Sequence, residues 1–169
     1  GDLDRDGDLD LYVANYVDFD LEAPPPSMRF LGQEVFGGPL GLPASADFLY
    51  ENDGSGVFAD VSERSGVAGV VPSHGLGVAI LDFDDDGHQD VFVGNDSMPD
   101  FLFLQRTGEP LRFDEVGDAS GIAANSDGKH QATMGIAIGD VEGDGRADVF
   151  TTNFAADTNT LHVVRPGDA

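Results

Sequence analysis

Apolar residues along this chain come in short runs, each closed by Gly, Asp, Asn or Pro. The clearest series is GLGVAIL (75–81), DVFVGN (90–95), DFLFLQ (100–105) and LRFDEV (111–116). These runs are rich in Val, Ile, Leu and Phe and too short for ordinary helices, so they predict four β-strands joined by tight turns. The series recurs. TMGIAIG (133–139) repeats its first member, and LYVANY (11–16) and VFTTNF (149–154) repeat its second. DFLYENDGSGVFADVSERSGV (47–67) aligns with DFLFLQRTGEPLRFDEVGDASGI (100–122), and NTLHVV (159–164) resembles the start of that segment. The turn NDGSG (52–56) carries strong hairpin punctuation. A four-stranded antiparallel unit that repeats predicts an all-β fold of propeller blades rather than a sandwich.

Between the first and second strands of each unit lies an acidic stretch. The pattern D-x-D-x-D-G-x-x-D occurs as DLDRDGDLD (2–10) and DFDDDGHQD (82–90), and as DVEGDGRAD (140–148) with Glu at its third position. The second and third copies start 58 residues apart and the first and second 80 apart; the surplus lies in a Pro- and Gly-rich insert over 17–46. A run of like charge is ordinarily a solvated surface. Chance acidity does not repeat its flanking strands in register, so the stretch reads as a loop folded around a cation.

Calcium takes 6–8 oxygen ligands, and alternating acids on a tight loop can all turn inward. Gly7, Gly87 and Gly145 allow the sharp bend at position 6. The candidate side-chain ligands are Asp2, Asp4, Asp6 and Asp10; Asp82, Asp84, Asp86 and Asp90; and Asp140, Glu142, Asp144 and Asp148. Asp8, His88 and Arg146, at position 7, are expected to contribute backbone carbonyls. Up to three Ca2+ ions are expected. An EF-hand is rejected, because its loop needs Glu at position 12, where these copies have Val13, Val93 and Thr151. Magnesium keeps most of its water and rarely fills an all-protein cage. Asn15, Asn95 and Asn153 fall five places after each motif's last Asp and read as turn residues.

Composition narrows the partners. Among 169 residues, 32 acids face 8 Lys and Arg, for a formal charge of −24, which repels nucleic acid and anionic membranes. With no cysteine, disulfides and thiolate metal sites are excluded. No apolar run approaches the roughly 20 residues of a membrane span. The chain begins at Gly1 without a signal-like segment. His74, His88, His130 and His162 lack metal-type spacing and read as surface or loop residues. No nucleophile elbow, HExxH or phosphate-binding loop is present, so the chain is not expected to be an enzyme.

The unit resembles the FG-GAP/VCBS repeat of integrin-α-like β-propellers. More narrowly, YVDFD, GPLGLP, GNDSMPDFLF and MGIAIGDVEGDGRADVFTTNF are similar to the cartilage-acidic-protein-1-like, ASPIC/UnbV-associated family. The resemblance implies a secreted or cell-surface protein with calcium in its blade loops and usually seven blades. This chain would then be about three of them: 1–70 lacking its first strand and carrying the insert, 71–124 complete, and 125–169 lacking its last strand. Many members carry a cysteine pair near 28–37, where this chain reads MRFLGQEVFG. The implied function is calcium-dependent adhesion or recognition of an extracellular protein or carbohydrate, alongside the remaining blades of the parent chain. The alternative is a propeller domain of a secreted polysaccharide hydrolase or lyase. Strand connectivity puts the insert, Asn95 and the His74 and His130 segments on the face away from the metals, with Arg29, Phe30 and Phe36 as candidate ligand contacts.

Overall fold

The computed structural model describes residues 1–25, 27–35, 37–39 and 41–164. Phe36, one of the expected ligand contacts, lies outside the described residues, as does the stretch 165–169. The chain is all-β apart from short helical turns, and its antiparallel sheets are partial propeller blades.

The strands are β1 (Leu11–Val13), β2 (Met28–Phe30), β3 (Gln33–Val35), β4 (Phe48–Asn52), β5 (Phe58–Asp60), β6 (Gly75–Leu81), β7 (Asp90–Asn95), β8 (Phe101–Gln105), β9 (Phe113–Glu115), β10 (Thr133–Gly139), β11 (Asp148–Asn153) and β12 (Thr160–His162). The central sheet has the order β6-β7-β8-β9, flanked by sheets β1-β4-β5 and β10-β11-β12; β2 and β3 form a separate hairpin inside the insert. Helices α1 (Ser62–Ser65) and α2 (Gly117–Ser120) follow β5 and β9, and each ends on a left-handed glycine, Gly66 or Gly121.

The repeat seen in the sequence is a repeat of register. Leu81 pairs with Asp90 and Gly75 with Asn95, just as Gly139 pairs with Asp148 and Thr133 with Asn153, and both first strands carry an irregularity at the same place. Likewise Leu11–Tyr50, Val91–Phe103 and Val149–His162 are equivalent pairs.

Alternation along β7 and β8 explains their unbroken apolar runs. Val91, Val93, Phe101 and Phe103 face the first sheet, where Leu3, Tyr12, Leu49, Val61 and Val67 meet them, together with Leu111 and Phe113. Phe92 and Leu102 face the third sheet, packing with Phe83, Ile122 and Val149. A strand buried on both faces needs apolar residues at every position. Each fully buried side chain of this size contributes about 1.5–3 kcal/mol. The sheets approach closely at Gly94, where an added Cβ would lie 2.5 Å from Thr133 Cγ2, so a larger residue does not fit there.

The insert joins β1 to β4 on the side away from the acidic loops. Ser45 bridges to Ser73, and the N–H of Gly75 bonds the Asn15 carbonyl at 2.9 Å. The Tyr16 hydroxyl donates to Asp96 at 2.6 Å, across 80 residues of chain. His74 is buried with its ring edge-on to Tyr16, which departs from the surface reading of the histidines.

Candidate metal centres

Each acidic loop is wound the same way. Positions 4 and 6 both take positive φ: Arg5 and Gly7, Asp85 and Gly87, Gly143 and Gly145, at 66° and 101°, 60° and 90°, and 73° and 90°. Two left-handed residues coil each segment back on itself. At position 5 the carboxylate accepts the N–H of position 7 in every copy: Asp6 from Asp8, Asp86 from His88, and Asp144 from Arg146, at 3.1, 2.8 and 2.9 Å.

Convergence differs among the copies. In the first loop Asp2, Asp4 and Asp6 bring oxygens within 4.8 Å of one another; in the second, Asp82, Asp84 and Asp90 do. Asp2 Oδ1 and Asp8 Oδ1 are buried without a hydrogen-bond partner. Burial, followed by the charges of Asp10 and Asp6, pushes Asp4 above the ordinary carboxylate range against the Asp6 N–H, and burial with the charges of Asp86 and Asp82 does the same to Asp84. Asp86 goes the other way. Although burial opposes it, the His88 N–H, the Thr107 hydroxyl and the His88 ring hold it below its ordinary value.

In the third loop, among the described residues, no three acids come that close. Asp140 accepts the N–H groups of Gly145, Gly143 and Asp144 at 2.8, 2.6 and 3.0 Å, which keeps its pKa low. Glu142 is exposed. Arg146 reaches sideways, its Nη1 lying 3.3 Å from Asp85, and so ties the third loop to the second.

The position-9 aspartates hold more than the sequence reading assigned them. Asp10 accepts the N–H of Leu3 at 2.9 Å and of Asn52 at 3.0 Å. Asp90 accepts those of Phe83 and Gln105, both at 2.8 Å, and Asp148 those of Val141 and Val164, at 2.8 and 3.0 Å. Each therefore staples the loop's second residue to the end of the neighbouring strand. Its oxygens keep a further lone pair for a cation, and burial pushes Asp90 up to about 6 against these donors.

A second clasp sits at the opposite end of the sheets. The side-chain amides of Asn15, Asn95 and Asn153 donate to the carbonyls of Ala46, Pro99 and Thr158 at 2.7, 2.6 and 2.7 Å. Their own N–H groups are accepted by Asp47, Asp100 and Asn159, at 2.8, 2.7 and 3.1 Å. Asn95 and Asn153 thus close local turns, bonding carbonyls four and five residues on, whereas Asn15 departs from the turn reading by reaching a carbonyl 31 residues away, at the far end of the insert. The partner acids were missed, although Asp47 and Asp100 stand at aligned positions in DFLY and DFLF.

Carboxylates alone, held close and partly without donors, fit a hard divalent cation in the first two loops. Asp2, Asp4 and Asp6, and Asp82, Asp84 and Asp90, would hold it.

The described residues thus define a repeat domain of antiparallel propeller blades. The FG-GAP-like repeat family model matches residues 82–151, spanning the second and third acidic loops. Cartilage acidic protein 1 of Xenopus tropicalis is 32% identical over 135 residues, covering 73% of this chain and 20% of the relative. The mouse and human proteins of that name are each 31% identical over 110 residues, covering 64% of this chain and 16% of theirs. The chain belongs to the FG-GAP-repeat, cartilage-acidic-protein-1-like family, and it spans between 16% and 20% of the length of these relatives. Among the described residues no helix is long and apolar enough to cross a membrane.

Proposed function

We propose that this chain is the calcium-binding part of an extracellular β-propeller that works in adhesion or in recognition of a protein or carbohydrate, without catalysis. The observation that carries the reading is the convergence of three carboxylates within 4.8 Å in each of two loops. Like charges so placed repel, and a divalent ion relieves that repulsion. Relationship to proteins named for cartilage supports an extracellular setting. The clustered acids are committed to the loops, and a cation-bound carboxylate is a poor proton shuttle.

Calcium at about 100 times its Kd contributes roughly 2.7 kcal/mol per site. Thermal melts with calcium should therefore run many degrees above melts with EDTA, and magnesium should reproduce little of the gain. Superimposable melts would end the calcium reading.

The sites should not be equal. Asp140 accepts three backbone N–H groups, those of Gly143, Asp144 and Gly145, where Asp82 accepts two, and Glu142 carries its carboxylate one methylene further out than Asp4 or Asp84. The third loop should bind most weakly, and Glu142→Asp should tighten it. Calorimetric titration checks this: one weaker class of site should vanish in the variant, and three equal sites in the parent would contradict it.

The outer faces support the remaining blades as partners. Leu11, Phe48 and Phe58 occupy the positions that Val91, Phe101 and Phe113 hold in the central sheet. The latter are buried against the first sheet, whereas the former are exposed. Equivalent residues call for equivalent cover, which a preceding blade supplies. In this reading 1–70 is a blade without its first strand and 125–169 one without its last.

A further inference from the structure

The β2–β3 hairpin turns through Leu31 and Gly32, both at positive φ, 50° and 81°. That is the turn type in which Asn-Gly is favoured, because a side-chain-bearing residue there strains the backbone. The chain instead places a leucine at the first position, 87% exposed. It therefore bears strain and unfavourable hydration at one residue, and neither helps the fold.

The apolar surface continues at the hairpin's root. The ring of Phe30 lies 6.0 Å from that of Phe154, at the end of β11, and both remain partly exposed, as does Met28. The hairpin thus reaches from the first sheet to the third across the face away from the acidic loops, ending in an apolar ridge. Its charge setting is acidic. The insert carries Asp18, Asp20, Glu22 and Glu34 against the single cation Arg29, in a chain of net charge −24. A second copy of this chain, or an anionic membrane, is repelled by such a surface.

We propose that the hairpin tip is a protein-docking ridge on which a basic amphipathic segment of a partner protein lays its apolar stripe, with Leu31 as the anchor and Phe30 and Phe154 as the floor. Lys and Arg beside that stripe would answer the surrounding carboxylates and speed encounter at low salt. This rests on reading this face as the recognition face.

The test uses the full-length protein with calcium and three synthetic peptides: a helical peptide with a Leu/Phe stripe flanked by Lys and Arg, the same stripe flanked by Glu, and the basic version with its stripe changed to Ser. Phosphatidylcholine vesicles form a fourth arm. The basic amphipathic peptide should bind, more weakly as salt rises, and Leu31→Asn should weaken it about tenfold or more. Because Asn suits this turn, the variant should melt at or above the parent's temperature, which separates lost contact from lost folding. Binding unaffected by Leu31→Asn, equal binding of the Glu-flanked or Ser peptide, no peptide binding, or binding to the vesicles would overturn the proposal. Hydrogen exchange with the basic peptide keeps the two readings apart. Protection around His74 and His130 without protection of the hairpin would retain the recognition face and reject the ridge.

Discussion

Asp100→Asn is expected to stabilise the protein at neutral pH and to remove much of its loss of stability between about pH 4 and pH 7. Asp100 is 7% exposed, at the foot of β8. One oxygen accepts the Asn95 N–H at 2.7 Å and the other the Thr133 hydroxyl at 3.0 Å, but no Lys or Arg among the described residues pairs with it. Burial therefore dominates these two donors and pushes the carboxyl from 3.8 up to about 7.

The raised value fixes the sign. Between the unfolded value of 3.8 and the folded value of about 7, the folded state holds a proton that the unfolded state has lost. Stability from this group is fully present below 3.8 and falls as pH rises, until it levels off above about 7. The whole span corresponds to at most about 4 kcal/mol. Asparagine keeps an oxygen for the Asn95 N–H and carries no charge to desolvate. The third sheet already uses that solution, since Asn159 accepts the Asn153 N–H at 3.1 Å. Thermal melts of parent and variant at pH 4, 6 and 8, in saturating calcium, give the effect by difference, which cancels the other titrating acids. Midpoints that change in parallel across that range would rule out a buried, raised Asp100.

The strands and loops were legible because they rest on local chemistry. Val, Ile and Phe at β positions, Gly at the loop bend and Asp at alternate positions each act within a few residues. What was not legible depends on backbone conformation or on distant partners. Position 4 of the loop is left-handed in all three copies, yet its residues are Arg5, Asp85 and Gly143. In the fold Gly143 makes the third loop the one copy without strain at that position. The position-9 aspartates read as ligands because their backbone partners, Asn52, Gln105 and Val164, share no side-chain signature. Tyr16 with Asp96, and Phe30 with Phe154, are contacts across blades that no local pattern announces.

Asp90→Ala should be far more damaging than Asp82→Ala even when no calcium is present. Both residues belong to the second loop and both would lose the ion, so in calcium each variant should forfeit roughly 2.7 kcal/mol at about 100 times Kd. The difference lies in the backbone. Asp82 bonds the N–H groups of Asp86 and Gly87 at an exposed site, where water replaces a lost carboxylate; its removal in EDTA should change stability by only about 0.5 kcal/mol. Asp90 is fully buried, and its two oxygens serve the N–H groups of Phe83 and Gln105. Each buried donor left without an acceptor costs about 1–3 kcal/mol, so Asp90→Ala should lose about 2–6 kcal/mol on this account. Burial raises the Asp90 carboxyl to about 6, so above that pH the substitution also removes an unfavourable charge and part of the loss is offset. At pH 5 the carboxyl is mostly protonated in the fold and the loss stands nearly whole. The damage should also spread. Gln105, whose N–H Asp90 holds, donates through Nε2 to the Leu3 carbonyl at 2.8 Å and accepts the Leu111 N–H at 2.7 Å, joining the first sheet to the second. Denaturant titrations in EDTA at pH 5 decide the matter. Equal stability of the two variants would show that Asp90 acts only through the ion, whereas a deficit confined to Asp90→Ala, with faster amide exchange at Phe83 and Gln105, identifies it as the staple on which the loop and its neighbouring blade depend.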